Sequence, residues 1–352
     1  MAKFFLQGLF SKSFSLSLSF LSLISLILFS STQIIHAEDL SFSDRKDVQA
    51  FIHEMVQKHQ FEKNQLTSIF SNVVSEPKII QAISKPHEAM PWFRYQEKLV
   101  SNDRIEKGVK FWQENEKSLK LAEQQFGVPP EIIVAIIGIE SLYGEKKGKW
   151  PVLQALSTLA FDYPPRAKFF RKELEEFLLL VKEQGFDPLN IKGSYAGAIG
   201  TPQFMPSSYR RYAIKFAGLN QSDLVNNVND AIGSVANYFH VHGWKPGESI
   251  AQKAKVIGTK FTQVNTADRK NPKPNTSLKM LAKYGIYPEQ PMPSKHDPLA
   301  AFITLETNNP NQDEYWLTLQ NFYVITRYNP STLYGMAVFQ LSERIRASYD
   351  NA

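Results

Sequence analysis

The chain has 352 residues, 43% of them hydrophobic and 12% aromatic, with a formal charge of +6 and no cysteine. This length and apolar content support a substantial folded core and exclude a disordered chain. Without cysteine there can be no disulfide, no thiolate metal site and no cysteine-linked lipid anchor.

Residues 1–37 carry Lys3 and Lys12, a Leu/Phe/Ile/Ser run from Phe14 to Phe29, and an Ile35-His36-Ala37 ending ahead of Glu38-Asp39. This is the order of a secretory signal peptide. An uncleaved membrane anchor is the alternative, since the run approaches the ~18 residues that span a bilayer, but its serines argue against it. Removal of this segment lowers the formal charge from +6 to +4. Such a surface suits an anionic envelope or polymer, and no long Lys/Arg patch interleaved with aromatics marks a nucleic-acid binder.

Ser43 to about Lys85 reads as polar-apolar helices, with Phe51, Ile52, Met55 and Val56 at helical spacing and Pro77 and Pro86 as punctuation. Asn102 to Phe126 reads as one amphipathic helix, with Ile105, Val109 and Trp112 at successive turns and Leu119 further along. Pro129-Pro130 opens an unusually apolar helix that runs through Ile133, Ile136 and Ile137 to Glu140, with Gly144 as its C-terminal cap. Pro151 to Phe161 and Arg166 to Glu183 give two further helices. Gly193 to Pro206 holds three glycines and two prolines among aromatic and polar residues, the composition of a tight loop where backbone approaches a ligand or a helix. Ser207 to Ala217 and Asp230 to His242 read as helices. From Lys245 proline and glycine increase, and Phe302–Leu305 and Tyr315–Leu319 look like strands. Ser331 to Ala347 is a final helix capped by Pro330-Ser331-Thr332.

Glu140 is the chemically informative residue. A general acid for glycoside cleavage needs a carboxyl group that keeps its proton near neutral pH, and apolar neighbours achieve this by desolvation. Helical geometry puts Ile133, Ile136 and Ile137 one and two turns before Glu140, on its face. The other reading of this local pattern is that the last turn emerges from the core and Glu140 is simply hydrated.

A wider constellation favours the first reading. Gly138-Ile139-Glu140-Ser141-Leu142-Tyr143-Gly144, Phe161-Asp162-Tyr163-Pro164-Pro165-Arg166, Gly193-Ser194-Tyr195-Ala196-Gly197-Ala198-Ile199-Gly200 and Pro202-Gln203-Phe204-Met205-Pro206 resemble, in order, the lytic murein transglycosylase B family. Asp230 to Phe239 and Ile325-Thr326-Arg327-Tyr328-Asn329 continue the similarity, which covers nearly all of the chain after residue 37. The resemblance implies a mainly α (α+β) fold: a lysozyme-like helical core with additional helices and a small mixed α/β subdomain. The expected organisation is a signal peptide at 1–37, a helical catalytic region at 38–244, a subdomain at 245–322, and a C-terminal segment at 323–352 that returns to the core.

The implied activity is cleavage of peptidoglycan between N-acetylmuramic acid and N-acetylglucosamine, leaving a 1,6-anhydro end, with Glu140 as the single acid and base. Ser194 and Gln203 match residues near the scissile sugar, and Tyr95, Tyr238, Tyr328 and Tyr334 match aromatics of the groove, with Asn329 as a polar contact. Glu145 and Asp162 are expected to be solvated, leaving no second catalytic acid. The partners implied are peptidoglycan glycan strands, with envelope association and no nucleic acid; the chain is expected to be a periplasmic monomer that needs no cofactor. A hydrolytic muramidase and a non-catalytic glycan binder are the alternatives.

Three departures from the family pattern stand out. Pro165 replaces the first of two common arginines, leaving Arg166 to meet a muropeptide carboxylate. Gly200-Thr201-Pro202 replaces a Gly-Tyr-Gly turn. The segment Lys215 to Asn227 has Lys215, Ala217 and Leu219 where a calcium loop would have oxygen ligands, so no bound metal is expected. His240 and His242 are too isolated for zinc and read as surface residues.

Overall fold

In the computed structural model, which describes residues 41–85, 90–216, 221–264, 266, 270–292, 297–309 and 312–352, short helices dominate. The expected signal segment, Pro86 and residues 217–220 of the expected metal-free loop lie outside the described residues. Helices α1 (Lys46–His59), α2 (Lys63–Ser71) and α3 (Pro77–Ile83) occupy the first helical stretch. Phe51, Ile52 and Met55 bury one face of α1, and Pro77 sits in the first turn of α3, where its missing N–H has no partner to lose.

Helix α4 (Trp92–Leu99) follows. Asn102 to Phe126 then forms two helices, α5 (Asn102–Glu114) and α6 (Glu116–Phe126), where the sequence pattern suggests one. Asn115 causes the break: its backbone N–H and its Nδ2 both donate to the Phe111 carbonyl, at 3.1 and 2.8 Å, so a local side-chain bond competes with helix continuation. Helix α7 (Pro130–Ser141) is apolar on nearly every side and buried from Ile132 to Gly138. A helix with that composition must lie inside the protein.

Strand β1 (Trp150–Pro151), helices α8 (Val152–Asp162) and α9 (Ala167–Gln184), and strand β2 (Lys192–Gly193) come next, β1 pairing antiparallel with β2. Helix α10 covers only Pro206–Tyr212; the chain from Ala213 is extended, so the helix expected to reach Ala217 is shorter. Helix α11 (Val228–Val241) is opened by Asn227, whose Oδ1 accepts from the N–H groups of Asn229 and Asp230.

A five-stranded antiparallel sheet is built from β3 (Ala251–Val256), β4 (Thr276–Ser277), β5 (Ile286–Pro288), β6 (Leu299–Leu305) and β7 (Glu314–Thr318), in the order β4-β6-β7-β3-β5, with α12 (Leu278–Lys283) beside it. Phe302 opposes Leu317 and Ile303 opposes Trp316. Because neighbouring residues of a strand face opposite sides, the first pair joins a small apolar cluster with Leu281 and Ile286, while Ile303, Leu305 and Trp316 join the main helical core. The sheet is therefore sealed onto the helices by one of its faces.

Helices α13 (Gln320–Tyr328) and α14 (Thr332–Asp350) return to the centre, with the Ser331 hydroxyl accepting from the Tyr334 N–H as an N-cap. α5, α6, α11 and α14 all pack against α7. Among the described residues the architecture is mainly α, with the five-stranded antiparallel sheet and the short β1–β2 pair, and it holds the Glu140 helix at its middle.

Candidate functional site

The end of α7 is shaped by its own motif. Leu142 and Tyr143 both take left-handed backbone conformations, at φ 50° and 59°, and the Tyr143 N–H reaches back to the Ile137 carbonyl in a Schellman-type closure. The cap expected at Gly144 is thus Leu142, two residues earlier. Left-handed residues with side chains need outside support, and three bonds supply it. The Ser141 hydroxyl donates to the Ile137 carbonyl and accepts from the Gly144 N–H at 3.0 Å, and the Tyr143 hydroxyl donates to the Arg104 carbonyl at 2.7 Å. Tyr143 folds across Gly138, where a Cβ would lie 2.5 Å from the phenol oxygen. Arg104 completes the clamp by donating from Nε to the Gly138 carbonyl at 3.1 Å.

This turn presents Glu140 to Tyr334 of α14, whose hydroxyl donates to Glu140 Oε1 at 2.6 Å. Glu140 keeps partial solvent access, but enough protein encloses its carboxyl group that burial dominates its ionisation. Burial pushes the carboxyl pKa up to about 7, and the Tyr334 hydrogen bond pulls in the opposite direction. Tyr334 itself is 2% exposed, with its hydroxyl engaged by the Glu140 carboxyl group.

Other aromatic residues gather beside it. Burial and the nearby Glu140 charge raise the Tyr328 phenol well above its ordinary pKa, and the same causes raise that of Tyr334. The Tyr328 hydroxyl donates to the Pro202 carbonyl at 2.5 Å, and its ring meets Tyr238 edge-on at 4.9 Å. Tyr238 donates to the Arg327 carbonyl and stacks on His242 with centroids 4.0 Å apart. His242 is therefore half-buried, against the expectation of a surface residue; its Nδ1 lies 2.7 Å from the Tyr238 carbonyl and burial lowers its pKa. Tyr95, on α4, is close enough to Tyr334 to influence its ionisation.

Ser194 and Gln203 share one folded loop, in which Ile199 bridges to both Gly193 and Phe204. Ser194 Oγ accepts from the N–H groups of Ala196 and Ala198, so its proton is the group it can offer. Gln203, at φ 50°, donates from Nε2 to the carbonyls of Gly200 and Lys147, at 2.7 and 3.0 Å, leaving Oε1 as an acceptor. Phe204 ties this loop to the aromatic cluster through ring contacts with Tyr238 and Tyr328.

Arg166 makes its contacts elsewhere: its guanidinium lies 4.4 Å from the Phe169 ring centroid and 5.0 Å from that of Phe170. Phe169, Lys172, Arg211 and Tyr238 are among the residues lining a cavity of about 490 Å³, so Arg166 stands near its rim. Asn329 ends α13 and its carbonyl accepts from the Ser331 N–H. Glu145 pairs with Lys107 at 2.9 Å, and Asp162 is held by Arg45 at 2.6 Å and by the Ser75 hydroxyl. Asp162 is thus tied into an ion pair where the sequence suggests free solvation. Among the described residues, no group of three or more His, Asp or Glu side chains is placed to hold a metal ion.

Arg104 and Tyr143 escape a reading of the sequence as site residues, because the one acts through a backbone carbonyl and the other through its ring. Their signal was the pairing of Gly138 with Tyr143 inside a single motif.

Comparison with known proteins gives a consistent picture. The model of the transglycosylase SLT domain matches residues 43–343. The membrane-bound lytic murein transglycosylase B of Escherichia coli K12 is 42% identical over 316 residues, 86% of this chain and 84% of that protein. Among solved structures, the catenated lytic transglycosylase SltB1 from Pseudomonas aeruginosa superposes with a TM-score of 0.81 at 42% identity, covering 88% of this chain and 99% of its own. The Escherichia coli lytic transglycosylase SLT35, solved in complex with calcium, gives 0.80 at 41% identity, covering 88% and 95%.

Proposed function

This chain belongs to the transglycosylase SLT domain family, and from that membership we propose that Glu140 is the sole general acid and base of its reaction. The protein is a peptidoglycan lytic transglycosylase, an enzyme of the cell envelope. The observation that carries the assignment of Glu140 is its ionisation: burial holds its pKa at about 7, so the protonated and ionised forms are both accessible near neutral pH.

In the first step protonated Glu140 gives its proton to the oxygen between N-acetylmuramic acid and N-acetylglucosamine, and that glycosidic bond breaks. The resulting carboxylate then takes the proton of the muramyl 6-hydroxyl as its oxygen attacks the anomeric carbon. One bond is lost, one formed, and the proton is returned, with no water consumed. Tyr334 holds Oε1 and so helps to orient the carboxyl group, leaving Oε2 as the oxygen to exchange the proton with the sugar. Gln203 Oε1 suits an acetamido N–H of the sugar, and the Ser194 hydroxyl suits an oxygen that gains charge as the bond breaks. Tyr95, Tyr238, Tyr328 and Asn329 complete the sugar-binding wall. Arg166, raised on Phe169 and Phe170, is placed to meet a stem-peptide carboxylate.

Hydrolysis would need a carboxylate or an oriented water on the far side of the sugar. Glu145 and Asp162, the neighbours in sequence that could serve, are engaged by Lys107 and Arg45. We assign residues 1–37 to export, the mature chain to the periplasm as a monomer, and residues 245–322 to a small subdomain whose sheet has an apolar cluster of its own.

The test is mass analysis of sacculi digested with wild type and Glu140→Gln. Wild type should release anhydro fragments, one water lighter than hydrolytic products, and Glu140→Gln should release essentially none. Hydrolytic products from wild type would replace the mechanism, and full cleavage by Glu140→Gln would remove Glu140 from it.

A further inference from the structure

Gln203 has a left-handed backbone and a side-chain amide held by two carbonyls, and what fixes those carbonyls lies deeper in the protein. The Lys147 carbonyl belongs to a residue whose Nζ donates to the Val225 carbonyl at 2.7 Å. The Gly200 carbonyl belongs to a turn whose next residue, Thr201, donates its N–H to the Leu224 carbonyl at 2.8 Å. Gly200 itself has φ 76°, and a Cβ there would lie 2.3 Å from that same Leu224 oxygen. Both supports of the Gln203 amide thus rest on the two-residue segment Leu224-Val225.

That segment is anchored by a buried carboxylate. Asp230, 1% exposed in the first turn of α11, accepts from the N–H of Asp223 at 3.0 Å through Oδ2 and from the N–H of Phe216 at 2.8 Å through Oδ1. Tyr209 adds a second anchor, its hydroxyl donating to the Ser222 carbonyl at 2.8 Å and accepting from the Leu224 N–H at 3.1 Å. Leu224 is fully buried, so the segment cannot slide without opening the core.

We propose that Asp230, acting through Leu224-Val225 and Lys147, is a positioning residue for Gln203, which sets the direction of the Gln203 amide oxygen toward the substrate. The proposal rests on the reading of Gln203 as a substrate-holding residue. A buried carboxylate that accepts two backbone N–H groups is strongly directional, and loss of one acceptor leaves a donor unsatisfied in the interior. The displacement would pass along backbone bonds that end at a residue already in a sparsely populated conformation, where small shifts are amplified into a different side-chain direction.

A double-mutant cycle tests this on murein cleavage, with Asp230→Asn, Gln203→Ala and the double variant. Asp230→Asn should lower turnover roughly tenfold, a fold-change equal to about 1.4 kcal/mol, and Gln203→Ala should lower it at least as much. In the Gln203→Ala background Asp230→Asn should then cost less than about twofold, because the group it positions is gone. Lys147→Met, which removes the Nζ bond to Val225 without touching the buried carboxylate, should show the same non-additivity and serves if Asp230→Asn fails to fold. Equal fold-losses in both backgrounds would overturn the positioning role while leaving Gln203 and Glu140 in place. A fully active Gln203→Ala would overturn it together with the reading of Gln203, and an inactive Glu140→Gln measured alongside keeps the reaction itself separate from either result.

Discussion

At Glu140 two opposed influences meet in one carboxyl group. Burial raises its pKa and the Tyr334 hydroxyl lowers it, with the balance at about 7. In the proposed role the acid form starts cleavage, so activity should be full below that value and fall as pH rises through it. Tyr334→Phe removes the lowering influence, and a hydrogen bond to a charged group is worth about 1.5 kcal/mol, or roughly one pH unit. The alkaline limb of kcat should therefore move upward by that amount in Tyr334→Phe, while overall turnover drops because the carboxyl group is less well oriented. A limb that stays in place, or moves down, would show that Tyr334 does not set the ionisation of Glu140. The apolar run before Glu140 made its raised pKa legible in the sequence. Its phenol partner was not legible in that role, because the two residues are 194 positions apart and only the packing of α14 on α7 brings them into contact.

Among the elements, the end of α7 shows most clearly what a motif does. Gly138, Ser141, Leu142, Tyr143 and Gly144 each shape the turn that carries Glu140, and none of them needs to touch a sugar. Gly138→Ala gains about 1 kcal/mol in helix propensity, but its Cβ would overlap the Tyr143 ring, and forced repacking costs about 1–3 kcal/mol. We expect a net loss of stability in denaturant melts together with a larger proportional loss of turnover, since displaced Tyr143 moves the turn itself. A Gly138→Ala protein that is more stable than wild type and fully active would contradict this account. Helices with strong apolar periodicity or a proline start, such as α7, α8 and α9, were evident from the sequence. The break at Asn115 was not, because it depends on one side-chain hydrogen bond inside an otherwise continuous pattern. Strand β3 was also hidden: its Gln252, Lys253 and Lys255 are polar, and only pairing with β5 and β7 makes it a strand.

For the molecule as a whole, the acidic groups near the segment from Lys215 to Asn227 are already occupied. Asp223 accepts from the N–H groups of Val225 and Asn226 and from Asn226 Nδ2, and Asp230 accepts from Phe216 and Asp223. Calcium would have to displace these donors. Millimolar calcium, and equally a chelator, should therefore leave Tm unchanged, whereas a site of useful affinity would raise Tm by several degrees through ligand linkage. A calcium-dependent rise in a thermal melt would refute the prediction. The long separation between Glu140 and Tyr334 also sets the order in which the two groups are made. A ribosome makes Glu140 well before Tyr334, so a partly made chain has the carboxyl group without the helix that partners it. The carboxyl group therefore gains its phenol partner only once α14 has packed against α7, so the proposed site is completed by the last helix of the chain to be made.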